Sequence, residues 1–202
     1  KDLAAAMPDE YALTVTIAAW GALRIGEVLG LTRDSFRGLG DADTPPNNPV
    51  VIVSKQWSEA ARDFTPPKSG SVGEVAIPSS LAVQIRKHLD AYVGQEPWAP
   101  LFPSSLTPSR PVSHAVFNKY WSAARDEVLP GFTFHALRHT GLTRAAQTGA
   151  TLAELQRRGR HANATVALRY QQSEDSRDRA IADALDVLMR EGDTPGTEPT
   201  GV

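Results

Sequence analysis

The chain has 202 residues, 41% of them hydrophobic, which suits one domain with a packed core. Cysteine is absent, which excludes disulfides and thiolate metal sites, and no run of about 18 apolar residues marks a membrane-spanning helix. The formal net charge of −2 counts mildly against a free-standing nucleic-acid-binding domain.

The charge is unevenly spread. Arg157, Arg158, Arg160, His161 and Arg169 crowd one segment, while Glu174, Asp175, Asp178, Asp183, Asp186, Glu191 and Asp193 load the end with acid. The opening Lys1-Asp2-Leu3-Ala4 does not resemble a secretory signal and reads as the interior of a longer protein.

Residues 9–30 have helical spacing interrupted at Gly21, with Leu13, Ile17 and Trp20 before it and Leu23, Val28 and Leu29 after. Arg24 and Glu27 stand three apart, so they share a face if the helix holds. Taken alone this is an ordinary surface ion pair, but Arg24 lies among apolar neighbours, where an unpaired charge is costly. A Gly-, Asp-, Pro- and Asn-rich loop at 38–49 leads into a β-branched strand, Val50–Lys55. A polar stretch bearing Phe64 follows, and residues 72–78 read as the returning strand. Lys68 then sits near a hairpin tip on a glycine-flanked loop.

Ser79 or Ser80 is expected to cap a helix running to about Val93, with Leu81, Ile85, Leu89 and Tyr92 recurring at three and four. Residues 94–111 form a proline-rich connection in which Trp98, Leu101 and Phe102 are expected to pin to the core. Ser113 caps a helix over 114–128 that carries Val116, Phe117, Tyr120, Trp121 and Ala124 on one side. Residues 134–149 predict a helix closed by Gly149, with His135, Arg138 and His139 facing one way. Thr151 caps a shorter helix stopped by Gly159. A helical segment over 163–171 bears Tyr170, and a last helix over 176–190 carries a stripe of Ile181, Leu185 and Leu188. Residues 191–202 have the composition of a disordered acidic, Pro/Gly-containing tail. The expected fold class is α+β, mostly helical, with a small antiparallel sheet around the hairpin at 50–78.

The chemistry concentrates between Phe134 and Tyr170. Histidines to move protons, arginines to fork onto a phosphate and a late tyrosine are the groups that phosphoryl transfer to a phenolic oxygen requires. Leu23-Arg24-Ile25-Gly26-Glu27, Pro67-Lys68-Ser69, His135-Ala136-Leu137-Arg138, His161 and Tyr170 stand in a fixed order. In that order the sequence resembles the catalytic domain of the tyrosine recombinases, the phage-integrase family, from about Pro8 to Arg190. The resemblance gives residues 1–190 as the catalytic domain, with the family's N-terminal DNA-binding domain outside the chain. It implies Arg24, Lys68, His135, Arg138, His161 and the nucleophile Tyr170 as catalytic residues, with Glu27 and His139 in support. Arg157, Arg158, Arg160 and Arg169 are the candidate DNA contacts. The sequence departs from the pattern at Arg160, where the family usually has glycine, and at Gly73 and Glu74, where a basic residue is common.

The implied mechanism is in-line attack of Tyr170 on a DNA phosphodiester, giving a 3′-phosphotyrosyl bond and a free 5′-hydroxyl. Arg24, Arg138 and His161 neutralise the non-bridging oxygens, His135 accepts the phenol proton and Lys68 protonates the leaving oxygen. No cofactor, metal or ATP is implied. The implied partners are double-stranded attachment sites and three further copies in a homotetramer, with accessory DNA-bending or directionality proteins. Helix 176–190 would dock either in a neighbouring subunit or back on its own core. The resemblance places the protein in a bacterial host cytoplasm, acting as the integrase of a phage or mobile element. The alternatives are a Xer-like dimer resolvase, a type IB topoisomerase-like enzyme, a catalytically silent DNA binder, and a metal-dependent nuclease. Arg138→Ala is expected to remove cleavage and leave the fold intact, because that side chain is expected to face the substrate.

Overall fold

The computed structural model describes residues 3–67 and 72–160. Lys68, His161, Arg169, Tyr170, the expected segments 163–171 and 176–190, and the tail lie outside the described residues.

Six helices and five short strands are described: α1 Asp9–Trp20, α2 Ile25–Leu29, β1 Phe36–Arg37, β2 Val50–Val53, β3 Gln56–Ser58, β4 Asp63–Thr65, β5 Gly73–Ala76, α3 Ser79–Tyr92, α4 His114–Val128, α5 Phe134–Gln147 and α6 Leu152–Gly159. Helix α1 is the centre. Tyr11, Leu13, Thr14, Val15, Ile17 and Ala18 are buried around its circumference, and α5, α3 and α2 pack against it. A helix apolar on all sides is one with neighbours on all sides.

β2 lies between β1 and β5, both antiparallel, with Val51 opposite Val75 and Ile52 opposite Glu74. β3 and β4 form a separate hairpin with Trp57 opposite Phe64. Those two rings meet edge-on, 5.4 Å between centroids. After β2 a polar stretch bearing Phe64 is expected from the sequence. This one aromatic pair, worth about 1 kcal/mol beyond its burial, helps hold that stretch as a hairpin.

Caps decide several boundaries. The hydroxyls of Ser113, Thr133 and Thr151 accept from the amides of Val116, Ala136 and Glu154 and start α4, α5 and α6. The start of α3 corrects the expectation. Pro78 is the cap, with its backbone already extended, and Ser79 is the first helical residue. Leu101 and Phe102 are fully buried as expected, but Trp98 is 66% exposed. The connection is held by main-chain bonds instead, from Leu101 N to the Leu31 carbonyl and from Arg33 N to that of Ala99.

Gly141 sets how closely α5 approaches α1. A Cβ at this position would lie 1.8 Å from the Ala19 carbonyl oxygen. The two backbones touch here, one turn beyond His135, Arg138 and His139.

Candidate active site

Helix α1 ends in a Schellman turn. The Leu23 amide donates back to the Ala18 carbonyl (3.1 Å) and the Ala22 amide to Ala19 (3.4 Å), with Ala22 at a φ of 52°. The chain leaves the turn extended at Arg24, the residue before α2. Glu27 is fully buried one turn later. Its Oε2 accepts from the Arg24 amide (3.0 Å) and its Oε1 from Arg24 Nη1 (2.8 Å). Arg24 and Glu27 therefore do not share a helix face. The carboxylate clamps the start of α2 and holds a guanidinium whose side chain is 30% exposed.

On α5, the Phe134 ring sits edge-on to Phe117 and Trp121, at 5.3 and 5.1 Å, which fixes the first turn. His135 and His139 follow, exposed, with ring centroids 4.7 Å apart. Arg138 does not accompany them outward. It is 1% exposed and donates to the carbonyls of Ala22 and Gly159, at the C-terminal ends of α1 and α6. Those ends carry partial negative charge, which is why an arginine can be buried there. The expectation that Arg138→Ala would spare the fold is therefore corrected.

The arginines expected to touch DNA divide. Arg157 is exposed. Arg158 donates to the carbonyls of Ala76 (3.1 Å) and Trp20 (2.5 Å), joining α6 to β5 and α1. Arg160 is buried, and its Nη2 donates to Glu27 Oε2 at 2.5 Å. Gly159, expected to stop α6, is its last residue, and the left-handed cap that ends the helix is Arg160.

A cleft of about 340 Å³ opens in front of this cluster, lined by Arg24 and Gly26 on one side, Trp57, Ser58 and Glu59 of the hairpin, and His114, Phe134 and His135. Glu59 Oε2 accepts from Trp57 Nε1 and from the His114 amide, both at 3.2 Å, tying β3 to the start of α4. Trp57, Glu59 and His114 lie outside the motif residues of the sequence. The available signal was Trp57, a large aromatic in an otherwise polar stretch.

Partial burial, then the charges of His139, Arg138 and Arg24, push the His135 imidazole below its ordinary value. At neutral pH it is held neutral and able to accept a proton. For Glu27, burial alone would raise the carboxyl, but Arg160, the Arg24 amide and the Arg24 guanidinium outweigh it and hold the group below the usual carboxylate range. Among the described residues, no three His, Asp or Glu side chains gather as metal ligands.

The arrangement is of helices around small antiparallel sheets. It superposes on a Tn1549 transposon integrase solved in complex with transposon right-end DNA, at a TM-score of 0.65 and 22% identity, covering 88% of this chain and 59% of that one. The chain belongs to the phage integrase family, whose sequence profile matches residues 2–177. Over 184 residues it is 38% identical to a putative prophage phiRv2 integrase of Mycobacterium tuberculosis, covering 91% of this chain and 48% of the relative. It is 27% identical over 197 residues to the integrase of Mycobacterium phage L5, covering 93% and 50%. The chain thus spans about half the length of these curated relatives.

Proposed function

We infer that this chain is the strand-transferring part of an integrase, which cuts and rejoins DNA at attachment sites of a phage or mobile element. The observation that carries this reading is the convergence of Arg24 and His135, far apart in the chain, on one cleft, with Arg138 near enough to bias the same imidazole. The Tyr170 oxygen forms a bond to phosphorus as the bond to the 5′-oxygen breaks. His135 accepts the phenol proton and Lys68 supplies one to the leaving oxygen. Arg24 in the cleft faces the charge that grows on the non-bridging oxygens, with Arg138 buried behind it, so no metal is needed. The phosphotyrosyl bond keeps the energy for rejoining. Four copies would exchange strands between two duplexes in the bacterial cytoplasm, with helix 176–190 bridging neighbours.

The test is a nicked duplex taken from the DNA flanking the encoding gene, incubated with the full-length protein and EDTA. A covalent protein–DNA adduct should form and vanish in Tyr170→Phe, while duplex binding persists. Binding without adduct would identify a silent DNA binder. Cleavage abolished by EDTA would identify a metal nuclease.

A further inference from the structure

We propose that Arg160 is a positioning residue for strand cleavage: its buried guanidinium anchors Glu27, and Glu27 in turn holds Arg24 at the mouth of the cleft. The inference rests on the reading of Arg24 as a phosphate-binding arginine.

Three observations carry it. First, the Glu27 carboxylate is divided between two arginines. Oε2 accepts from Arg160 Nη2 at 2.5 Å and from the Arg24 amide at 3.0 Å, while Oε1 accepts from Arg24 Nη1 at 2.8 Å. Second, Arg160 is 8% exposed and is wedged from several sides. Its Nη2 also reaches the Ala22 carbonyl, at 3.5 Å, the oxygen that accepts from Arg138. Its stem runs over β5, where a Cβ on Gly73 would stand 3.5 Å from Arg160 Cδ. Third, the residue adopts a φ of 49°, a backbone that glycine takes readily and arginine resists. A conformation that disfavours arginine is kept together with a buried ion pair, so the side chain has work that glycine at this position could not do.

The Arg160 charge also helps hold the Glu27 carboxyl below the usual range, together with the Arg24 amide and guanidinium. Without it, one carboxylate oxygen loses its closest partner, and the carboxylate is held less firmly. Arg24 is tied to that carboxylate through both its amide and its guanidinium, so it would lose its fixed aim. The effect falls on the chemical step, because Arg160 itself is buried and does not line the cleft.

The experiment compares wild type, Arg160→Gly and Arg160→Lys in the full-length protein, on the same nicked duplex. It measures melting temperature, duplex affinity and the rate of adduct formation at saturating DNA. Glycine suits the backbone, so Arg160→Gly should fold and bind the duplex within about threefold of wild type. Its adduct should form at least tenfold more slowly, and Arg160→Lys should recover part of that rate. Adding Glu27→Gln to Arg160→Gly should slow the reaction little further, since both break one chain of contacts. Arg160→Gly cleaving as fast as wild type would overturn the proposal, as would losses of melting temperature and affinity that match the loss of rate. No adduct from wild type would overturn the recombinase reading and this proposal with it.

Discussion

Arg138, proposed above as a site residue, is also a structural one. Ala22 O and Gly159 O, which accept from it, lie at the ends of separate helices, so removing the guanidinium takes a donor from both at once. Arg138→Ala should cost about 2–4 kcal/mol. In a chain of this size that is a fall of roughly 5–10 °C in melting temperature by calorimetry, beside the lost cleavage. A melting temperature unchanged within 1 °C would show that the carbonyl contacts carry no weight. Loss of activity in this variant alone thus says little about chemistry; Tyr170→Phe is the cleaner probe. Two non-glycine residues at positive φ, Ala22 and Arg160, both border this cluster. Each costs on the order of 1 kcal/mol, and both serve to turn the chain where a carbonyl or a guanidinium is needed.

At the level of elements, the contact between α1 and α5 is a close backbone approach. Gly141→Ala would drive a methyl group into the Ala19 carbonyl and push α5 outward, at a cost of about 3 kcal/mol or more. Chemical denaturation should show this as a lower midpoint with unchanged slope, and a midpoint equal to wild type would contradict the backbone contact. Helices α4, α5 and α6 were legible in the sequence because their caps and apolar spacing act locally. The Gly141 approach was not, since its partner is over a hundred residues away. The β3–β4 hairpin was hidden for another reason. Three-residue strands are too short to show alternation, and the stretch around Trp57 reads as polar throughout. Arg24, His135 and Arg138 could be picked out by order and spacing, but not their directions. The inward turn of Arg138 and Arg160 follows from two helix ends meeting in space, which no local pattern encodes.

Across the molecule, protonation should weaken the fold in two stages. His88 is buried with Nε2 on the Leu101 carbonyl (2.8 Å), and burial, which outweighs that bond, lowers it; His135 is lowered as well. Groups depressed in this way take up protons more readily when unfolded, so stability falls as pH drops below about 6.5. Glu27, also depressed, contributes stability that is present above about pH 4.3 and is lost below it. Denaturation midpoints at pH 7.5, 5.5 and 4 should descend in that order, and the step from 7.5 to 5.5 should shrink in His88→Phe. A flat profile would contradict both shifts.

Trp20 and Ala22 at the end of α1, and Gly159 at the end of α6, grip guanidinium groups through oxygens that belong to the main chain. Long cationic side chains ordinarily become ordered only when an anion arrives, and the association is weakened by that lost freedom. Here the ordering happens once, when the polypeptide folds. Under the function proposed above, a phosphodiester in the cleft would meet Arg24 backed by buried cations that are already in place.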